Sequence, residues 1–114
     1  MKEPDKYNYV INCIKKKANE ILPSGSSVIL FGSRARGDAR IDSDWDLLIL
    51  IPGPQKISWE TKWEYSLPFD DMGLEINEEI NPIVYSFEEW KTKTFLLLYY
   101  NIREEGIKIY DVNT

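Results

Sequence analysis

Histidine is absent from the 114-residue chain, and cysteine occurs once, as Cys13. The first absence excludes a Ser-His-Asp triad and any zinc site built on imidazole. The second excludes an intrachain disulfide, so packing alone must hold the fold, which fits a reducing cytoplasm. Long apolar runs are missing as well. The longest wholly apolar stretch, Phe95–Tyr100, is far too short to span a membrane. The opening MKEPDKYNYV has no signal-peptide apolar region. Basic charge is in deficit: Lys and Arg number 14 against 19 Asp and Glu, a net charge of −5. That balance argues against an extended basic face for nucleic acid. No internal repeat or low-complexity segment breaks the pattern.

What remains is an ordinary globular composition, 43% hydrophobic and 29% charged. A chain of this length suits a single domain, residues 1–114, that buries roughly 65% of its unfolded surface.

The chain is organised around VILFGSRARGDARIDSDWDLLILI, residues 28–51. Val28–Phe31 reads as a buried strand. Gly32-Ser33 turns the chain, with Ser33 as expected N-cap of a short helix over Arg34–Arg36. Gly37 stops that helix, and 38–43 is polar loop. The second strand, Trp45–Ile51, begins with Asp44 and Asp46 flanking Trp45.

Side chains alternate along a strand, so Asp44 and Asp46 share a face with Cα atoms roughly 6.5–7 Å apart. Carboxylates so placed can hold a pair of Mg²⁺ ions about 3.5–4 Å apart, a clamp suited to in-line phosphoryl displacement. Gly32 allows close backbone approach to phosphates, and Ser33 adds a hydroxyl at a helix start. Arg34, Arg36 and Arg40 cluster in the same region, and Arg36, with Arg34 beside it in sequence, is expected to screen phosphate charge. Each guanidinium also reads as a solvated surface charge, and Asp44 alone reads as a turn residue. Asp46 is different: it interrupts an apolar strand, where an unpaired carboxylate would be costly.

The GSRARG and SDWDLL blocks resemble the signature of the DNA polymerase β-like nucleotidyltransferases, and more narrowly the minimal nucleotidyltransferases, or MNT proteins. The motif covers about a fifth of the chain. The resemblance implies transfer of a nucleoside monophosphate, AMP from ATP, to a hydroxyl. Asp44 and Asp46 would be the catalytic, Mg²⁺-binding carboxylates, and Gly32, Ser33 and Arg36 the nucleotide-binding residues. It also implies a partner, since such proteins are often paired with a HEPN-domain RNase toxin that they restrain by binding or by adenylylating a tyrosine. Active relatives usually carry a third carboxylate on the next strand. Here INPIVYS has none between Glu79 and Glu88, leaving Glu75 and Glu79 as candidate substitutes or as solvated edge charges.

The flanks supply the scaffold. Pro4 or Asp5 to Leu22 is an amphipathic helix with Tyr7, Val10, Ile11, Ile14, Ala18, Ile21 and Leu22 on one face. Cys13 reads as packing. Pro23-Ser24-Gly25-Ser26 ends that helix, and Pro52-Gly53-Pro54 is a firm break. A helix is expected over Ile57–Leu67, with Trp59, Trp63 and Leu67 at i, i+4 and i+8 turned into the core. Pro68–Gly73 is expected as loop, with Asp70-Asp71 in a solvated turn. Leu74–Ser86 should hold the third strand, with Asn81-Pro82 forcing an edge, bulge or break. Ser86-Phe87-Glu88-Glu89 is a capping box that should start a helix running to about Arg103, with Gly106 as a stop. Ile107–Tyr110 suits a short final strand.

The expected fold is α/β, a small mixed sheet of three to four strands with packed helices. The run Phe95–Tyr100 faces every direction of a helix, more than one buried stripe requires. It suits a protein partner, a homodimer seam or burial on two sides. Three functional classes stay open: protein adenylylation, a catalytically weakened antitoxin or binding subunit, and a small-molecule (antibiotic) adenylyltransferase.

Overall fold

The strand WDLLILI carries apolar side chains on both faces, as a strand covered on both sides must. It is β2 (Trp45–Ile51), and Leu47–Ile49 are fully buried. The computed structural model describes residues 2–112. Around β2 the chain runs α1 (Glu3–Ile21), β1 (Ser27–Phe31) and α2 (Ser33–Arg36) before it, then α3 (Trp59–Ile76), β3 (Ile80–Ser86), α4 (Phe87–Trp90), α5 (Leu97–Glu105) and β4 (Ile107–Asp111). The strands form one mixed sheet in the order β3-β2-β1-β4. β1 pairs antiparallel with β2 and with β4, whereas β2 and β3 are parallel and joined by the crossover helix α3. This is the small mixed α/β sheet expected from the sequence.

Alternation sorts β2 between two cores. Leu47 and Ile49 join Val10, Ile14 and Ala18 of α1 and Phe69 and Met72 of α3. Leu48 and Leu50 join Phe31 of β1 and Ile102 of α5 on the opposite face. Asp46 is in step with Leu48 and Leu50, so it shares the α5 face. Among the described residues no helix is long and apolar enough to cross a membrane.

Several expectations need correction. α3 does not stop at Leu67 but runs through Pro68 to Ile76, so the expected loop and the Asp70-Asp71 turn are helical. Pro68 leaves the Glu64 carbonyl, one turn back, without its usual helical donor, and Glu64 is exposed to water. The gain is that Phe69 and Met72 reach the core. Conversely, Trp59 and Trp63 are 73% and 57% exposed and Leu67 is 37% exposed, so this stripe is not core. It flanks β3, which is an edge strand, and the stripe therefore lies at the sheet's rim.

Pro82 sits within β3, which is an edge strand; of the edge, bulge or break expected there, the edge is the one observed. The Ser86 hydroxyl accepts from the Glu89 N–H at 3.0 Å, as the capping box requires. The helix it starts, however, ends at Trp90 rather than near Arg103. In the following Lys-Thr-Lys-Thr segment the Thr92 hydroxyl donates to the Glu89 carbonyl at 2.6 Å, a local bond that competes with helix continuation. α5 then begins at Leu97 and meets Gly106 as its C-cap. Phe95, Leu97 and Tyr100 of the apolar run remain exposed.

Candidate functional site

The site forms where β1 ends and β2 begins. Gly32 follows β1 with φ +75°, a conformation that side-chain-bearing residues rarely adopt. A methyl group there would overlap the Asp46 carboxylate, so the turn and the strand carboxylate are in direct apposition. Gly32, not Ser33, is the N-cap of α2. Its carbonyl accepts from Ala35 and Arg36 N–H at 3.0 Å each, and Ser33 is the first helical residue. A residue at φ +75° next to a carboxylate must be glycine, which displaces the cap by one position.

Asp44 and Asp46 come together as alternation requires. Between them stands Asn81, whose place in the Asn81-Pro82 pair signals only a strand irregularity. Asn81 is the register partner of Asp46 across the parallel pairing. Its amide nitrogen donates to Asp44 Oδ2 at 2.6 Å and to Asp46 Oδ1 at 3.5 Å. Partial burial raises the Asp46 carboxyl above its ordinary range, and the Asp44 charge adds to that; the Asn81 hydrogen bond and the Arg36 charge oppose it. The amide thus offsets repulsion between two acids facing one another.

Neither candidate substitute joins them. Glu75 lies on α3 in a cleft with Tyr9, Cys13 and Ile76, and Glu79 is exposed, with its carbonyl taken by the Trp45 N–H at 2.9 Å. Among the described residues no third acid completes a cation-binding cluster with Asp44 and Asp46. The two carboxylates fit one Mg²⁺ nonetheless. This ion commonly takes one or two carboxylates and completes its octahedron with water and substrate phosphates.

The arginines divide. Arg36 lies on the open side, where its guanidinium meets Glu105 Oε1 at 3.1 Å and Asp38 Oδ2 at 3.3 Å. The bonds to Asp38 and then Glu105 hold it firmly protonated. Arg40 is exposed, and its backbone N–H donates to the Ser43 hydroxyl at 2.7 Å. Arg34 is buried instead, packed 4.3 Å over the Trp45 ring. It donates to the carbonyls of Ser43 at 3.0 Å and Ile41 at 3.4 Å, and lies 4.0 Å from Glu78. Lys6 ties the same Ile41 carbonyl at 2.8 Å and pairs with Glu78 at 3.1 Å. Glu78 also accepts from the Trp45 indole at 2.9 Å. Arg34, Lys6 and Glu78 therefore fix the loop that delivers Asp44.

Known proteins agree with this architecture. The profile of the nucleotidyltransferase domain family matches residues 11–109. No curated protein matches the chain. Among solved structures, a chain from the crystal structure of a toxin-antitoxin with AMP-PNP superimposes with a TM-score of 0.65 at 17% identity, covering 90% of this chain and 73% of that one. A Sulfolobus solfataricus protein assigned as a nucleotidyltransferase gives 0.65 at 21% identity over 94% of this chain and 85% of its own. A chain from the complex of tri-AMPylated Shewanella oneidensis HEPN toxin with MNT antitoxin gives 0.60 at 14% identity, covering 93% and 73%. These likenesses are of fold, whereas the family profile spans nearly the whole sequence, both strands and the Gly-Ser turn included: the chain belongs to the nucleotidyltransferase domain family.

Proposed function

We propose that this protein is a minimal nucleotidyltransferase that transfers AMP from ATP to a hydroxyl on a partner protein. The observation that carries this reading is the apposition of the Gly32 turn and the Asp46 carboxylate, close enough that a methyl group at Gly32 could not fit. A phosphate chain lying on the Gly32-Ser33 turn, with Arg36 beside it, would run directly past Asp44 and Asp46. Those two carboxylates would hold Mg²⁺, which when bound neutralises phosphate charge. In the transfer, the acceptor oxygen bonds the α-phosphorus and the α–β bridging bond breaks. Pyrophosphate leaves with the bonding electrons, and the hydroxyl proton passes to water. A protein acceptor is supported by the fold shared with chains of toxin-antitoxin complexes, one of which contains an AMPylated HEPN toxin. The lone Cys13 suits a reducing, cytoplasmic setting.

A second reading has its own support. Asn81 stands where a carboxylate could have accepted the proton, which favours a subunit that binds nucleotide and partner but transfers slowly. One experiment separates the two. The protein is co-expressed with the product of the neighbouring reading frame, purified, and supplied with labelled ATP and Mg²⁺. Label on the partner establishes transfer; a stable complex without label establishes the binding role. Asp44→Asn and Asp46→Asn should each abolish Mg²⁺-dependent ATP binding by calorimetry. Asp46→Asn should melt no lower than the parent, because it removes a partly buried charge. Unchanged affinity in both variants overturns the assignment.

A further inference from the structure

α5 ends at Glu105, whose carboxylate reaches across to the Gly32 turn. Oε1 accepts from the Gly32 N–H at 3.3 Å and from Arg36 at 3.1 Å, and Oε2 lies 3.4 Å from the same guanidinium nitrogen. The side chain is only 22% exposed, against 46% for Arg36. It also lies close enough to Asp46 for its charge to push that carboxyl upward. An acid facing another acid is held there by its donors, and both donors are groups assigned above to the triphosphate.

We infer that Glu105 is a built-in competitor: in the nucleotide-free protein its carboxylate occupies the seat of a triphosphate oxygen and must leave before nucleotide enters. This rests on the phosphate-seat reading and adds a price to it. The chemistry matches at each point. A carboxylate and a phosphoryl group are both oxyanions that accept from a backbone N–H and a guanidinium. Two anions cannot share one N–H and one guanidinium edge beside Asp46, so occupancy is exclusive. Only the fraction of molecules with Glu105 withdrawn is competent, and apparent affinity falls by that fraction. The position favours a swing rather than a rebuilt fold, since Glu105 is the last residue of its helix and Gly106 follows.

The test is ATP titration by calorimetry, with Mg²⁺, on the parent, Glu105→Gln, Glu105→Asp and Glu104→Gln. The last removes the same unit of charge next door, from a side chain 56% exposed and 3.7 Å from Arg103. Glu105→Gln should bind ATP about tenfold or more tighter. Glu105→Asp, one methylene short of the turn, should fall between, and Glu104→Gln should match the parent. Without nucleotide Glu105→Gln should melt below the parent, and saturating ATP should close that gap. Equal or weaker binding by Glu105→Gln overturns the competitor role while leaving the phosphate seat standing. Absence of ATP binding in every variant, parent included, overturns the seat and the competitor with it.

Discussion

Asn81 donates its side-chain amide to the Asp44 carboxylate across 2.6 Å, from a strand that reaches β2 only through the α3 crossover. A neutral donor thus lies against the pair of acids best placed for a cation. Replacing it tests what it does. Asn81→Asp removes a hydrogen bond to charged groups and adds a third negative charge. In chelator the variant should lose roughly 1.5–3 kcal/mol of stability. Mg²⁺ should return much of that loss, because a cation that binds only the folded state stabilises it. Urea melts in chelator and in Mg²⁺ check this; a variant as stable as the parent in chelator would show that the amide is not holding the carboxylates together.

The buried Arg34 carries a different expectation. Its guanidinium serves the loop before Asp44 and stacks on Trp45, with Glu78 beside it. Arg34→Met keeps much of the volume but leaves two carbonyls and the Glu78 charge without that partner. Breaking a buried charged arrangement from one side costs on the order of 3 kcal/mol. Denaturant melts should show that loss, and Arg40→Met, at an exposed position of the same region, should stay within about 0.5 kcal/mol of the parent.

α3 offers a comparison within one helix. Phe69 is fully buried, while Trp59 and Trp63 are mostly exposed. Phe69→Ala should cost about 3–5 kcal/mol. Trp59→Ser and Trp63→Ser should each stay within roughly 1 kcal/mol, in the range of surface substitutions. A large loss at Trp63 would place it in the core after all.

Acid stability should report on the β1–β4 contact. Ser27 donates to Asp111 at 2.5 Å, and this bond, helped by Lys108, holds the Asp111 carboxyl below its ordinary range. A carboxyl lowered on folding stabilises the protein above its unfolded pKa, and that contribution disappears as pH falls through the folded value. Ser27→Ala should therefore lower stability at neutral pH and flatten its decline below about pH 4. Urea midpoints measured from pH 7 to pH 2 check both limbs.

The central unit was legible because its signals are local. Alternation, a Gly-Ser turn and an apolar run place β1, the turn and β2, and they put Asp44 and Asp46 on one face. The misplaced features depend on what packs from elsewhere. Helical spacing showed that Trp59, Trp63 and Leu67 share a side of α3 but not that this side lies beyond the last strand. Pro68 argued for a loop, yet the burial of Phe69 and Met72 outweighs one lost hydrogen bond. Ser33 is a good cap by type, but the cap position falls beside Asp46, where only glycine fits. Glu105 meets Gly32 from 73 residues away, and Asn81 meets Asp44 from 37, so neither pairing has a sequence signal at all.

Pro82 has a consequence for how the molecule behaves in a crowd. It sits in β3, a strand at the margin of the sheet, and a proline there has no N–H to offer a foreign strand. At the opposite margin β4 carries Lys108 and Asp111, charges that discourage the same stacking. Copies of this chain are thereby discouraged from zipping together backbone to backbone into fibrils. The exposed aromatic rim beside β3 accordingly presents a neighbour with side chains rather than with a full backbone ladder.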